Sequence, residues 1–199
     1  KLGLDYESLS EIKPDLIYCS ISAFGQTGPY AKRPGYDVIG QAFSGFMHLT
    51  GEKDGPPVKS GFAIGDGVGA INAFGSMMAA LYYRQIAGVG QCIDISLARG
   101  LLWMNTPFDR INVGVHAARI GNHDSGLAPY GLFEGNNGES IIIAAVNTST
   151  WSRLCNAMGR PDLLENPNYA TNVLRAQNQK EIIPVINDWV KSYPHIDEV

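Results

Sequence analysis

The sequence predicts an α/β fold in which part of a large domain with parallel strands is followed by a smaller α+β unit. Three observations predict it. Leu16-Ile17-Tyr18-Cys19-Ser20-Ile21 is a short, mostly apolar run between breakers, as expected of a buried parallel strand. A long stretch from Val68 has its apolar residues at helical spacing, and Cys92–Leu97 follows with the period of two that marks a strand. Beyond Gly121 the pattern changes to two strand-like runs joined through Gly135-Asn136-Asn137-Gly138, a hairpin-turn composition.

Each element has its own signal. Tyr6 to Ile12 is weakly helical, and Lys13-Pro14-Asp15 ends it, because proline cannot continue a helix. After the first strand, Phe24-Gly25-Gln26-Thr27-Gly28-Pro29 reads as a loop, and ligands of open α/β sheets usually sit in such loops. Tyr36 to Leu49, with Gly40, Ser44 and Gly45, predicts one tightly packed helix, and Gly51 to Pro57 a turn. The long helix carries Val68, Ile71, Phe74, Met78, Leu81 and Tyr82, and Gly88-Val89-Gly90 terminates it. Leu101 to Asp109 is apolar and then frays into a connector reaching about Arg119. Tyr130–Phe133 and Ser140–Val146 read as strands. Asn147 or Thr148 then caps a helix with Trp151, Leu154, Cys155 and Met158. Asn166-Pro167-Asn168-Tyr169 is a turn, and Gln177 to Val190 a last helix. The expected division is residues 1–97 as part of the large domain, 98–121 as linker, and 122–199 as an incomplete small domain.

Bulk properties exclude several classes. At 45% hydrophobic, 199 residues suffice for one substantial core or two small ones. Charged residues are 17%, below the roughly 25% of ordinary soluble domains, which with 23 glycines suggests surface buried against another chain or further sequence. A net charge of −4 with no basic run leaves no nucleic-acid footprint. No apolar stretch approaches the roughly 20 residues that span a bilayer, and Lys1–Tyr6 lacks the pattern of a signal peptide. A cytoplasmic protein with no membrane partner is the expectation. Cys19, Cys92 and Cys155 are far apart in apolar runs and read as reduced, buried thiols. Lys1 enters what reads as a helix end and Val199 follows a turn, so the chain is expected to be a fragment.

Phosphate-loop and nucleophile-elbow motifs are absent, and neither His48, His116, His123 and His195 nor the cysteines are spaced for zinc. The segment that carries chemistry is Ser60-Gly61-Phe62-Ala63-Ile64-Gly65-Asp66-Gly67-Val68-Gly69. An Asp just before a helix is commonly its cap. The same position also favours an ionised carboxylate beside free amide donors, and Gly65 and Gly67 would let a bulky partner approach. Carboxylates act as covalent nucleophiles, and suit an activated target such as a thioester. Both readings of Asp66 stand at this point.

An ordered set of motifs then resembles the family III CoA-transferases, the group containing formyl-CoA:oxalate and carnitine CoA-transferases. The set comprises Arg33-Pro34-Gly35-Tyr36-Asp37, Gln41-Ala42-Phe43-Ser44-Gly45, Leu49-Thr50-Gly51, Gly55-Pro56-Pro57-Val58 and Ile64-Gly65-Asp66. It continues with Gly88-Val89-Gly90-Gln91, Ile93-Asp94-Ile95-Ser96-Leu97, Arg119-Ile120-Gly121-Asn122, Ala128-Pro129-Tyr130-Gly131 and Thr171-Asn172-Val173-Leu174-Arg175, covering nearly the whole chain. The resemblance implies that Asp66 attacks an acyl-CoA, forming an aspartyl anhydride and then an aspartyl-CoA thioester that a second carboxylic acid resolves. It implies coenzyme A thioesters as substrates and no tightly bound cofactor or metal. It also implies a Rossmann-like large domain, an interlocked homodimer, and roughly a hundred further residues ahead of Lys1, the scale of a mononucleotide-binding half.

Other site residues follow from the same resemblance. Related α-methylacyl-CoA racemases carry His where this chain has Tyr36, thirty residues before Asp66. A phenol with an ordinary pKa near 10 is a poor base, so epimerisation is disfavoured, and Tyr36 is a packed aromatic or lines the substrate. Lys32 and Arg33 are candidates for the CoA phosphates or adenine, or are solvated loop cations. Gln41, Gly65 and Gly67 belong to the substrate and oxyanion region, where amide donors matter most; for Gln41 a structural hydrogen bond is an equal alternative. Ser125 and Gly126 belong there too, in Gly121-Asn122-His123-Asp124-Ser125-Gly126. That segment aligns with a glycine-rich loop that closes over the intermediate in formyl-CoA enzymes, but departs from it at His123, Asp124 and Ser125. The alternatives are racemase-like epimerisation and a non-catalytic α/β module.

Overall fold

Two strands that are far apart in sequence lie side by side because a helical crossover separates them. The computed structural model describes residues 2–105 and 118–199. These form two units, Lys1–Arg119 and Ile120–Val199. The first unit runs α1 (Tyr6–Ile12), β1 (Ile17–Ser22), α2 (Asp37–Phe43), α3 (Phe46–Leu49), α4 (Ile64–Ala87), β2 (Gln91–Ser96) and α5 (Leu97–Met104). β1 and β2 pair in parallel, Ile17 opposite Gln91 and Ser22 opposite Ser96, and a parallel pair requires such a crossover.

The single helix expected over Tyr36–Leu49 is two helices. Gly45 adopts φ 79°, a left-handed conformation that glycine takes without steric cost, and the chain turns there. α4 ends as its sequence predicts, with Gly88 at φ 70° and its amide bonded to Arg84 O. Its faces are less expected. The buried positions are Gly65, Gly69, Ala73 and Ala80, whereas Ile71, Phe74, Met78 and Tyr82 are exposed. Close approach explains the choice: a Cβ at Gly69 would stand 2.5 Å from Leu97 Cδ2, and one at Gly100 would stand 2.9 Å from Val68 Cγ1. Small residues therefore let α4 and α5 touch, and the large apolar side chains fall on the other side.

β2 ends one residue earlier than its alternation suggests, because Ser96 turns the chain directly into α5. Its hydroxyl oxygen accepts from Arg99 N at 3.2 Å and donates to Ala23 O at 3.2 Å. Residues 97–104, mostly assigned to the linker by the sequence, are thus a helix with Leu101 fully buried. The remainder of that linker over 106–117 lies outside the described residues. Cys155 is buried, but Cys19 is only half-buried and Cys92 is exposed; all three are free thiols. Cys92 is opposite Tyr18 in the β1–β2 register and stays exposed, so the thiol is not buried as its apolar run suggested.

The second unit contains β3 (Tyr130–Glu134), β4 (Ser140–Ala144), α6 (Thr148–Ala157), α7 (Asp162–Glu165), α8 (Asn172–Gln177) and α9 (Gln179–Lys191). β3 and β4 form the expected antiparallel hairpin, with Glu134 opposite Ser140. Asn147 is the cap of α6, accepting Thr150 N at 2.8 Å. The core consists of Phe133, Trp151, Cys155, Leu163, Tyr169, Ile182, Ile186 and Val190. Burial pushes the Cys155 thiol up to about 11. Beside this core lies Arg175, 1% exposed and without a carboxylate partner among the described residues. Its guanidinium donates instead to Ala128 O at 2.9 Å, Tyr169 O at 3.0 Å and Val146 O at 2.6 Å. It also lies 5.0 Å from the Trp151 ring centroid. One planar fork thereby joins three chain segments.

Candidate active site at the N-terminus of the long helix

Asp66 stands in the first turn of α4 and does not cap it. The N-cap is Ala63, which has no side chain able to accept a bond, and Asp66 itself is exposed. Among the described residues its carboxylate makes no hydrogen bond. The helix end is tied from another element. Asp37, at the start of α2, accepts the Gly65 amide through Oδ1 at 2.6 Å. Its Oδ2 accepts Gln41 Nε2 at 2.6 Å, and Gln41 Oε1 accepts the Ser60 amide at 2.9 Å. Gln41 is 1% exposed with both ends of its amide engaged. It therefore reaches the Asp66 neighbourhood through Asp37 and Ser60.

The two glycines beside Asp66 have different reasons. A Cβ at Gly65 would meet Asp37 Oδ1 at 2.9 Å and Leu101 Cδ1 at 3.0 Å, so this position is filled by its neighbours. A Cβ at Gly67 would meet nothing within 4 Å. Of these two positions, Gly67 is the one that leaves room for a second molecule beside Asp66. Chemically the arrangement presents a carboxylate at the positive end of a helix dipole, on a backbone anchored one residue earlier.

Tyr36 precedes α2 and is 85% exposed, the most exposed aromatic of the site region. Arg33 lies with its guanidinium carbon 4.7 Å from the Tyr30 ring centroid, a cation–π contact, and Lys32 is exposed. Tyr30 joins Phe24 and Phe43 in a three-ring cluster with centroids 5.1–5.5 Å apart. A cleft of about 330 Å³ opens there, lined by Phe24, Tyr30, Phe43, Ser96 and Arg99. A second, of about 690 Å³, lies between α4 and α5, lined by Val68, Asn72, Asp94, Arg99 and Trp103. Asp66 lines neither. Asp94 shapes the loop after β1 by accepting Gln26 N at 2.8 Å.

Ser125 and Gly126 belong to the second unit. Asp124 Oδ1 accepts the amides of Gly126 and Leu127 at 2.8 and 3.0 Å, and Asn172 donates to Gly126 O at 3.0 Å. His123 packs edge-on against Phe133, with ring centroids 5.0 Å apart, and bridges to Gly131. This histidine is part of the sheet edge. Among the described residues no three His, Cys, Asp or Glu side chains gather into a metal site. No helix among them is long and apolar enough to cross a membrane.

Asp37 is the residue that sequence reasoning passed over. Its spacing of four from Gln41 is the neighbour spacing on a helix, and that signal was available. Its bond to Gly65, twenty-eight positions away, had no local signature.

Comparison with known proteins identifies the family. The model of CoA-transferase family III covers residues 1–197. A succinate–glutarate CoA-transferase of Agrobacterium fabrum is 40% identical over 189 residues, 94% of this chain and 47% of that protein. The succinyl-CoA:glutarate CoA-transferase of Homo sapiens is 36% identical over 189 residues, 94% of this chain and 43% of that protein. A crystal structure of a CAIB/BAIF family protein from Brucella suis superposes with a TM-score of 0.81 at 36% identity. It covers 98% of this chain and 52% of that one. The chain thus spans about half the length of the relatives it matches. A family match across 197 positions, together with the ordered motifs from Arg33 to Arg175, makes this chain a member of the family III CoA-transferases.

Proposed function

We propose that the protein moves coenzyme A from an acyl-CoA to a second carboxylic acid, with Asp66 as the covalent carrier. An Asp66 carboxylate oxygen bonds to the thioester carbonyl carbon; the oxyanion collapses, the C–S bond breaks, and an aspartyl anhydride and CoA thiolate result. The thiolate then attacks the Asp66 carboxyl carbon, the first acid leaves as its carboxylate, and an aspartyl-CoA thioester remains. The acceptor carboxylate attacks that thioester, giving a new anhydride and thiolate. Attack of the thiolate on the acceptor's carbonyl releases the new acyl-CoA and regenerates Asp66. No proton is transferred in this sequence, so it requires no general base. Each tetrahedral oxyanion requires amide donors.

One observation carries the reading: Asp66 is exposed, its carboxylate makes no hydrogen bond among the described residues, and it adjoins open space at Gly67, while its backbone is anchored through Gly65. Relatives are named for glutarate, D-citramalate and oxalate as well as succinate, so we assign dicarboxylic acids as the substrate class. Arg33 and Lys32 are assigned to the CoA phosphates or adenine, and Tyr36, with Ser125 and Gly126, to the substrate lining. The exposed apolar side chains Ile71, Phe74, Tyr82 and Trp103 support burial against a further part of the protein or a second copy; we assign an interlocked homodimer with a Rossmann-like large domain, in the cytoplasm, as the family resemblance implies.

Intact-mass analysis of the complete polypeptide with succinyl-CoA tests the reading. A CoA-sized adduct that is absent from Asp66→Ala is the expected result. An adduct retained in Asp66→Ala, or none in the wild type with any dicarboxylyl-CoA, overturns it. Loss of α-deuterium to solvent without an acceptor acid would instead mark epimerisation.

A further inference from the structure

We infer that Asp37 and Gln41 form a directional hydrogen-bond relay that positions Asp66 for attack on the thioester. Both are positioning residues and neither touches substrate. The inference rests on the reading of Asp66 as the nucleophile.

Direction follows from the groups at the two ends. Gly65 and Ser60 each present a backbone N–H, which can only donate. Whatever bridges them must begin and end with an acceptor. An ionised carboxylate accepts at both oxygens, while a primary amide donates at one end and accepts at the other. Asp37 followed by Gln41 satisfies the order: Gly65 N–H to Asp37 Oδ1, Gln41 Nε2 to Asp37 Oδ2, Ser60 N–H to Gln41 Oε1. The relay fixes both ends of the strap Ser60–Gly65 to α2, and Asp66 is the next residue. With Gln41 1% exposed, water is not at hand to replace a lost partner. Leu101 packs against the same position, its Cδ1 3.0 Å from where a Cβ at Gly65 would stand. The first turn of α4 is therefore held by a hydrogen bond and by packing while the Asp66 side chain remains free. A nucleophile that cycles through carboxylate, anhydride and thioester benefits from a backbone that does not shift with it.

The same logic defines the test. In Asp37→Asn one donor is added, and however the two amides turn, one donor faces another donor. In Gln41→Glu two acceptor oxygens of like charge face each other. Combining Asp37→Asn with Gln41→Glu exchanges the two groups. The amide introduced at position 37 then accepts from Gly65 and donates to the carboxylate introduced at position 41. That carboxylate accepts from Ser60, so every bond is restored with the same net charge. In the complete polypeptide each single variant is expected to lower kcat for CoA transfer about 100-fold, the scale of a misplaced reacting group, with KM for succinyl-CoA within about threefold of wild type. The double variant should return kcat to within about fivefold of wild type. Amide hydrogen exchange over residues 60–66 should quicken in the single variants and slow again in the double.

Single variants with wild-type kcat, or a folded double variant no better than the worse single, would overturn the relay. Should a single variant fail to fold, the double decides alone, because its folding and turnover depend on the restored order. If the wild type forms no aspartyl adduct, the nucleophile assignment fails, and the exchange pattern still reports on the relay by itself.

Discussion

Replacing Gly65 and Gly67 one at a time by alanine gives opposite outcomes two residues apart on one helix. Inside a helix, alanine is favoured over glycine by roughly 0.5–1 kcal/mol. At Gly67 the new methyl meets nothing within 4 Å, so that gain is realised and the variant is more stable. At Gly65 the methyl would stand 2.9 Å from Asp37 Oδ1 and 3.0 Å from Leu101 Cδ1. Overpacking costs about 1–3 kcal/mol, and pushing Asp37 off the Gly65 amide forfeits a charge-assisted bond of about 1.5–3 kcal/mol. After the helix gain, and with some relaxation of Leu101, Gly65→Ala should be destabilised by roughly 2–4 kcal/mol. Urea denaturation of the complete polypeptide followed by circular dichroism measures both. A Gly65→Ala midpoint at or above wild type, or a Gly67→Ala midpoint below it, refutes this account of the packing. Turnover separates the sites again: Gly67→Ala puts a methyl where a thioester must approach, so its activity should fall although its stability rises.

Asp66→Asn should lose only the helix-dipole contribution of the carboxylate, about 0.3–1 kcal/mol, yet lose turnover and the covalent adduct; a collapsed circular-dichroism spectrum would contradict this. Arg175→Met strands the carbonyls of Ala128, Tyr169 and Val146. At about 1–3 kcal/mol for each buried group, the second unit should unfold at markedly lower urea, and a loss below about 1 kcal/mol would show that the fork is dispensable. Cys155 sets an alkaline dependence. Its folded thiol is pushed up to about 11 by burial, above the ordinary value near 8.5. Its contribution to stability is thus full below that ordinary value and declines as pH rises toward the folded one. Because burial also raises the Cys19, Cys92 and Tyr169 groups, urea midpoints at rising pH should decline in both proteins, and more steeply in wild type than in Cys155→Ala. A thiol reagent at neutral pH should modify exposed Cys92 first and Cys155 last.

Local chemistry made most elements readable from the sequence. Gly88 stops α4, Asn147 caps α6, and Gly135–Gly138 closes the hairpin between β3 and β4, because each outcome depends on a few neighbouring residues. The family motifs singled out Asp66 for the same reason, since they are contiguous stretches of sequence. Other features depended on partners distant in the chain. Periodicity located the stripe Ile71, Phe74, Met78 and Tyr82 on one side of α4, but which side is buried is decided by the approach of Leu97 and Leu101 to Gly69 and Gly65. Helical spacing over Tyr36–Leu49 could not show that Gly45 would turn left-handed.

By itself, then, the sequence determined which segments form most of the helices and strands, which family the motifs belong to, and which carboxylate is the candidate carrier; short-range sterics and hydrogen bonding are encoded in adjacent residues. Only the tertiary structure decided that Asp66 is not a cap, that Gly65 and Gly67 serve different ends, and that Asp37 and Gln41 bind the helix end. A hydrogen bond between residues 37 and 65 exists only after the fold has brought α2 against α4.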